Sequence, residues 1–304
     1  MVLTNQLQNW IINQIDPKAS ITLTKHLKGS TSSTLHLIKL KLEGEQREVV
    51  LRQFDNQEWL KEEPDLALHE AQSLSKATRV NVPTPSILAY DEKGEVCGGP
   101  LVLMSKVEGN VVLDDSYNQE WINGLAGTLA EIHKLNKCDF PWDYYPYKES
   151  TMAEVPTWSR EPAAWQMAVC ILNGSRPNYR ECFIHRDYHP TNVLWKDGKV
   201  SGVVDWVNAC LGPAGIDVAH CRVNLAMLYG ASAADAFLTA YQNNAGELFE
   251  YNPYWDIASL NDILEGPPEV YPGWEAFGFT GLTTGMMKER LDQYLLSILD
   301  KVKG

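Results

Sequence analysis

The sequence predicts an α+β chain, with an antiparallel sheet-rich first third and a mainly helical remainder. Between Ile21 and Phe54, three apolar-rich runs with strand-like alternation are separated by polar, turn-like clusters. After Gly109 the apolar residues shift to the three-and-four spacing of amphipathic helices. Within that second part, Phe183 to Asn208 reads as two short strands joined by loops too polar for a core.

Leu3, Leu7, Trp10, Ile11 and Ile15 predict a short opening helix that Asp16-Pro17 closes. Ile21–Thr24, Leu35–Leu40 and Glu48–Arg52 follow as hairpin-connected strands. Trp59, Leu66, Ala67, Glu70, Ala71 and Leu74 predict a helix after Pro64, and Ser86–Tyr90 and Leu101–Met104 two more strands. Trp121, Leu125, Leu129 and Ile132 form one helical stripe with His133 beside it, which we read as structural, bonding a backbone carbonyl of the Phe183–Asn208 stretch. Further helices are predicted over Glu161–Leu172, from Asp217 as its N-cap to Leu228, and along Leu291, Leu295, Ile298 and Leu299.

The chemistry concentrates in Phe183–Asn208. Asp197-Gly198 supplies the positive φ that a tight hairpin needs, and the strand after it, Val200 to Trp206, carries one charge, Asp205. An ionised carboxylate among apolar neighbours is costly unless a cation or donor network offsets it. Asp187, Asn192 and Asp205 share an explanation in phosphoryl transfer, which needs a carboxylate to take the proton of an incoming hydroxyl and oxygen ligands for magnesium. Asp187 suits the first role, Asn192 and Asp205 the second. The alternation His185, Asp187, His189 also admits a transition-metal set, although Pro190 and Asn192 favour a loop over the strand that set requires.

His185-Arg186-Asp187, four residues, Asn192, then an Asp before an aromatic resembles the catalytic and metal-binding segments of kinases. With His189-Pro190 in the loop and Gly212 to Ala219 after it, the chain most resembles the aminoglycoside phosphotransferase and choline kinase-like family of small-molecule kinases. That resemblance implies a two-lobe protein-kinase-like fold, with a nucleotide-binding N-lobe over 1–105 and a catalytic, acceptor-binding C-lobe over 106–304. It implies transfer of the γ-phosphate of ATP or GTP to a hydroxyl, with Mg2+, and Asp187 as the catalytic carboxylate. Gly29, Ser30, Ser32 and Ser33 stand where the phosphate-covering loop belongs, and Arg52 takes the register of the usual nucleotide-pairing Lys, with Glu70 as its acidic partner. Met104, Ser105 and Val107 stand at the hinge where backbone groups meet the base. The departures are Trp206 for Phe, Val207 for Gly, a single glycine in the phosphate loop, and Arg52 for Lys, which stays cationic and can grip two oxygens. In such a family the acceptor sits on the C-terminal helical region, so the acids and aromatics of Tyr251 to Phe279 are candidates to receive an ammonium group.

Composition narrows the partners. The net charge of −13 over 304 residues excludes the clustered cationic surface that nucleic acid demands and tilts toward cationic small molecules. No apolar run approaches the ~18 residues needed to span a bilayer and no basic-then-apolar leader opens the chain, so a cytoplasmic protein is expected. Cys97, Cys138, Cys170, Cys182, Cys210 and Cys221 lack pairing or metal-type spacing and read as reduced, mostly buried thiols. A protein kinase is disfavoured by the absence of Ala-Pro-Glu and the short Asp205–Asp217 interval. A nucleotide-binding pseudokinase or scaffold, and a metallohydrolase, are the alternatives. Aminoglycosides, macrolides, choline-like amines, sugars and amino alcohols all fit the acceptor class.

Overall fold

The computed structural model describes residues 3–27, 33–136, 139–264 and 266–302. Leu7 and Ile11, four apart, are the buried stripe of α1 (Asn5–Ile15), whose N-terminus Thr4 caps by accepting the Leu7 N–H. It lies against the sheet strands that follow: β1 (Ser20–His26), β2 (Thr34–Leu42) and β3 (Glu45–Gln53). In β2 the buried positions His36, Ile38 and Leu40 alternate with partly exposed ones. In β3, Val49 and Leu51 join the α1 core, which by the alternation of a strand turns Val50 and Arg52 to the opposite face. A one-residue slip would exchange these faces, so the pairing Leu35 with Arg52 fixes where the cation points.

Between Asp55 and Ala77 the chain makes α2 (Gln57–Glu62) and α3 (Leu66–Ala77). Pro64 lies between them, where its missing N–H and the restriction on Glu63 break the helical run. β4 (Ile87–Asp91) and β5 (Leu101–Ser105) complete a five-stranded antiparallel sheet, order β1-β2-β3-β5-β4. Beyond Ser105 the chain crosses to the helical part through Gly109, at φ +125°, where a Cβ would lie 2.2 Å from Ser201 Oγ. That close approach lets Asn110 exchange backbone hydrogen bonds of 3.0 and 2.8 Å with Trp195.

The second part contains α4 (Gln119–His133), α5 (Pro162–Leu172), β6 (Glu181–Ile184), β7 (Val193–Lys196) and β8 (Lys199–Val203). After them come β9 (Cys210–Pro213), α6 (Ala214–Tyr229), α7 (Ala231–Ala245), α8 (Pro253–Ile263), α9 (Pro272–Ala276) and α10 (Thr284–Val302). The β7–β8 hairpin turns through Asp197 and Gly198 at φ 52° and 73°, as their composition predicts. β9, which pairs antiparallel with β6, carries no strand pattern because four residues including a Gly and a Pro show no period. One core joins both parts: Phe54, Leu74, Val102 and Met104 pack with α4 residues Trp121, Leu125 and Leu129 and with Val203 and Trp206. A further core lies among α5, α6, α8 and α10. Among the described residues no helix is long and apolar enough to cross a membrane. Cys182, Cys210 and Cys221 are buried free thiols, while Cys97 and Cys170 are exposed ones.

Candidate active site

Arg52 lies on the face of β3 turned away from α1, and its fork reaches two acids from distant parts of the chain. Nη1 lies 3.0 Å from Glu70 Oε1 on α3, and Nη2 lies 2.8 Å from Asp205 Oδ1. Arg52 and Glu70 are buried and Asp205 is one-third exposed, at 33%. Burial pushes the Glu70 carboxyl up to about 7, a rise that Arg52 opposes and Asp205 reinforces. Burial works against the Arg52 cation, but Asp205 and Glu70 together hold its pKa above the usual guanidinium value. Asp205 does not lie in a strand: β8 ends at Val203 and Asp205 turns at φ +68°. This left-handed conformation, which Asp tolerates better than most residues, swings the carboxylate toward Arg52. Trp206 then enters the core, stacked on Phe183 and donating its indole N–H to the Val203 carbonyl at 2.9 Å.

The loop from His185 to Asn192 is shaped from beneath by Asp217. The buried Asp217 carboxylate accepts the backbone N–H groups of His185 and Arg186, each at 2.7 Å, and faces His133 Nε2 at 3.1 Å. Burial alone would raise its pKa, but His133 and the loop N–H groups hold it below the usual carboxylate value. Asp217 is therefore not the cap of α6, whose N-cap is Pro213, because its oxygens are committed to the loop. His133, expected to bond a backbone carbonyl, instead bridges Asp217 and the Tyr241 hydroxyl, 2.6 Å from Nδ1. A carboxylate only accepts, so His133 Nε2 carries the proton toward Asp217, and Nδ1 is left to pair with the Tyr241 hydroxyl.

This anchoring holds Arg186 at φ +70°. Its guanidinium bonds Asp262 at 2.7 Å and covers the Tyr147 ring at 3.9 Å. Asp187 follows, one-third exposed. Asn192 Nδ2 donates to the Asp187 carbonyl at 2.9 Å and to its Oδ2 at 3.2 Å. Oδ1 lies 3.1 Å from His220 Nε2 and 3.6 Å from His189 Nε2. Burial would raise the Asp187 carboxyl, but the facing imidazoles hold it well below the usual carboxylate range. It is ionised at neutral pH.

The set His185, Asp187, His189 does not assemble. His185 is buried and kept neutral by burial, and its Nε2 meets the Val204 carbonyl at 3.0 Å. Ligand-type atoms of Asp187, His189 and His220 do lie within 4.8 Å of one another. His220 carried no sequence signal beyond standing three residues after Asp217.

Asn192 and Asp205 are laced together by the Val204 N–H, which donates to the Asn192 carbonyl at 2.9 Å. The Asn192 amide nitrogen is committed to Asp187, which leaves its amide oxygen as the ligand-type atom, and Asp205 keeps a second carboxylate oxygen beyond the one at Arg52. An all-oxygen donor set of one carboxylate and one amide fits a hard cation such as Mg2+.

Of the other predicted nucleotide contacts, Gly29, Ser30 and Ser32 lie outside the described residues, and Ser33 is buried just before β2. Met104 packs into the core shared by the two parts. The Ser105 N–H donates to the Ser86 carbonyl at 2.9 Å and its hydroxyl accepts the Ser86 N–H at 2.8 Å. Val107 abuts Gly202, where a Cβ would come within 2.5 Å of it. In the C-terminal region Asp256 is not open to a ligand: it pairs with Arg222 and accepts from Tyr251 and Tyr294 at 2.6 and 2.7 Å. Asp262 is likewise taken by Arg186. Beside the loop, a cavity of about 210 Å3 is lined by acids and aromatics, including Glu62, Glu63, Asp65, Trp142, Tyr145 and Tyr147.

A five-stranded antiparallel sheet joined to a helical part, with Arg52, Asp187, Asn192 and Asp205 at their junction, is the architecture of a two-lobe kinase-like phosphotransferase. The chain belongs to the phosphotransferase enzyme family, whose model matches residues 28–254. No curated protein sequence matches it. Among solved structures it resembles a proposed aminoglycoside phosphotransferase from Ralstonia eutropha JMP134, at TM-score 0.66 and 17% identity over 99% of this chain and 98% of that one. It also resembles the macrolide 2'-phosphotransferase MphH from Brachybacterium faecium, at TM-score 0.60 and 14% identity over 85% and 88%. A third likeness is to the amicoumacin kinase hAmiN, solved with AMP-PNP, Ca2+ and Ami, at TM-score 0.58 and 14% identity over 97% and 94%. At these identities the likeness is one of fold.

Proposed function

We propose that the protein transfers the γ-phosphate of ATP or GTP to a hydroxyl of a small molecule. The observation that carries this reading is that contacts bring together an ionised Asp187, an Asn192 amide bonded to it, and an Asp205 swung against a buried cation. Residues 1–105 form the nucleotide lobe and 106–304 the catalytic and acceptor lobe. Gly29, Ser30, Ser32 and Ser33 cover the phosphates, Arg52 grips them with Glu70 fixing its fork, and Met104, Ser105 and Val107 border the base. The Ser105 N–H is spent on Ser86, so base recognition falls on the remaining hinge backbone.

Asp187 meets the acceptor hydroxyl, orients it and takes its proton as the hydroxyl oxygen bonds to the γ-phosphorus and the bond to the bridging oxygen breaks, that oxygen leaving with ADP or GDP. Asn192 and Asp205 would hold Mg2+, which supplies charge neutralisation on the phosphates when bound. The remaining work of this site is positioning: Arg52 fixes the phosphates against one wall while Asp217 fixes the Asp187 loop on the other.

A cationic acceptor such as an aminoglycoside is favoured by the acid-lined cavity beside Arg186, where Glu62, Glu63 and Asp65 stand among aromatic rings. A cytoplasmic location fits the nucleoside triphosphate this chemistry consumes and the Mg2+ it would use. The test is a panel of hydroxylated amines, macrolides and sugars screened for substrate-dependent ADP or GDP release. Release that depends on acceptor and magnesium supports the reading. Nucleotide binding without transfer to any acceptor or to water would move it to a pseudokinase scaffold, and activity that follows tightly held zinc or iron would move it to a metallohydrolase.

A further inference from the structure

We propose that His220 is a positioning residue that fixes the Asp187 carboxylate for the acceptor hydroxyl, an inference that rests on the assignment of Asp187 above. His220 Nε2 lies 3.1 Å from Asp187 Oδ1. Since a carboxylate offers only acceptor atoms, this close pairing calls for the proton on Nε2. The other oxygen, Oδ2, accepts from Asn192 Nδ2 at 3.2 Å. Asp187 is thus held at both oxygens, by its own loop on one side and by α6 on the other. His189 Nε2 stands farther from Oδ1, at 3.6 Å, and meets Asn192 Nδ2 at 3.2 Å, while its Nδ1 meets the Thr191 hydroxyl at 2.8 Å.

The helix that carries His220 is built to hold it still. From Ala214 to Leu228 every residue of α6 is buried except His220, whose side chain is 14% exposed and sits against Asp187. Asp217 and His220 are three apart and share a face of the helix. Asp217 accepts the backbone N–H groups of His185 and Arg186, while His220 reaches the side chain of the next residue. One rigid face therefore sets both the loop backbone and the carboxylate rotamer. That second constraint matters because a partly exposed Asp side chain has rotamer freedom that the backbone anchor cannot remove.

A misplacement of about 1 Å can cost ~10²-fold in rate. His220→Ala is therefore expected to lower kcat by about that factor, with the affinity for magnesium-ATP and the KM for acceptor changing by less than about twofold. His220→Gln, whose amide N–H reaches about as far as Nε2, should recover most of the loss. ATP is the donor, and water and then kanamycin are the acceptors. Because His220 acts through Asp187, His220→Ala in an Asp187→Asn background should cost nothing further, a non-additivity that an independent role would not give. Nitrogen NMR of the imidazoles reads the contact without turnover: His220 protonated at Nε2, with a signal that moves in Asp187→Asn, is expected.

Parental kcat in His220→Ala, a change confined to acceptor KM, an additive double variant, or an unprotonated Nε2 would each overturn the proposal. The assignment it rests on fails separately, if Asp187→Asn itself keeps parental turnover or if the parent transfers phosphate to neither acceptor.

Discussion

Arg52 and Asp187 stand on opposite sides of the junction between the sheet and the helices, and the chain secures them in different ways. Arg52 is held by charge: its fork joins two carboxylates that lie 18 and 153 positions away in the sequence. Asp187 is held by its surroundings: Asp217 pins the N–H groups of His185 and Arg186 just before it, Asn192 donates to its carboxylate, and His220 pairs with the other carboxylate oxygen. A cation linked by charge to two acids suits a binding element, whose value lies in its charge. A carboxylate fixed at both oxygens suits a reacting group, whose value lies in its orientation. The loop should therefore govern turnover and the Arg52 cluster affinity.

The largest effect is expected at the loop. Asp187→Asn keeps the volume but cannot take the proton, and general-base contributions of this kind are worth ~10²–10⁴-fold. Transfer to the acceptor found in the screen should fall by that factor, and near-parental turnover would remove Asp187 from the chemistry. Asp217→Ala comes next. It strands two loop N–H groups and the His133 proton in a buried site, at a cost of about 3 kcal/mol or more. Urea unfolding should show the loss, and an unchanged midpoint would mean that the loop is held from elsewhere.

Arg52→Ala should raise the KM for nucleotide by about tenfold or more, as hydrogen bonds to charged groups are worth ~1.5–3 kcal/mol, and leave kcat less affected. An unchanged KM would transfer the phosphate contact to another cation. The smallest effect is at Glu70. The folded protein holds the Glu70 proton up to about pH 7, above the ordinary carboxylate value near 4.5, so between those values it binds more protons than the unfolded chain. Stability from neutral Glu70 is thus full below pH 4.5 and falls as pH rises toward 7. Glu70→Gln should flatten that part of the profile, and an identical slope in the parent and the variant would place the titration on another group.

Much of this was legible in the sequence where the signal is local. The strands from β1 to β3 follow from alternation, the Asp197-Gly198 turn from its composition, and the nearness of Asp187, Asn192 and Asp205 to one another from their spacing. Pairings across the chain were harder to read. Asp217 looks like a helix cap because acids near helix starts usually are caps, and nothing local reveals that its oxygens serve a loop more than thirty positions earlier. His220 shows why one face of a buried helix can matter to chemistry on another element. Asp205 looked like a strand residue because Val203, Val204 and Trp206 are apolar, yet the chain turns at φ +68° to reach Arg52. In Tyr251–Phe279, Asp256 and Asp262 looked available to a ligand, and each is taken by an arginine that sequence distance conceals.

The division between binding and reacting groups is tested most directly by calorimetry of magnesium-ATP on Asp187→Asn beside Asp205→Asn, with both variants checked for parental folding. Asp205→Asn should lose the magnesium-dependent part of the affinity, since it removes the charge the cation needs while preserving shape. Asp187→Asn should bind as the parent does. Parental affinity in Asp205→Asn, or a comparable loss in both variants, would contradict it.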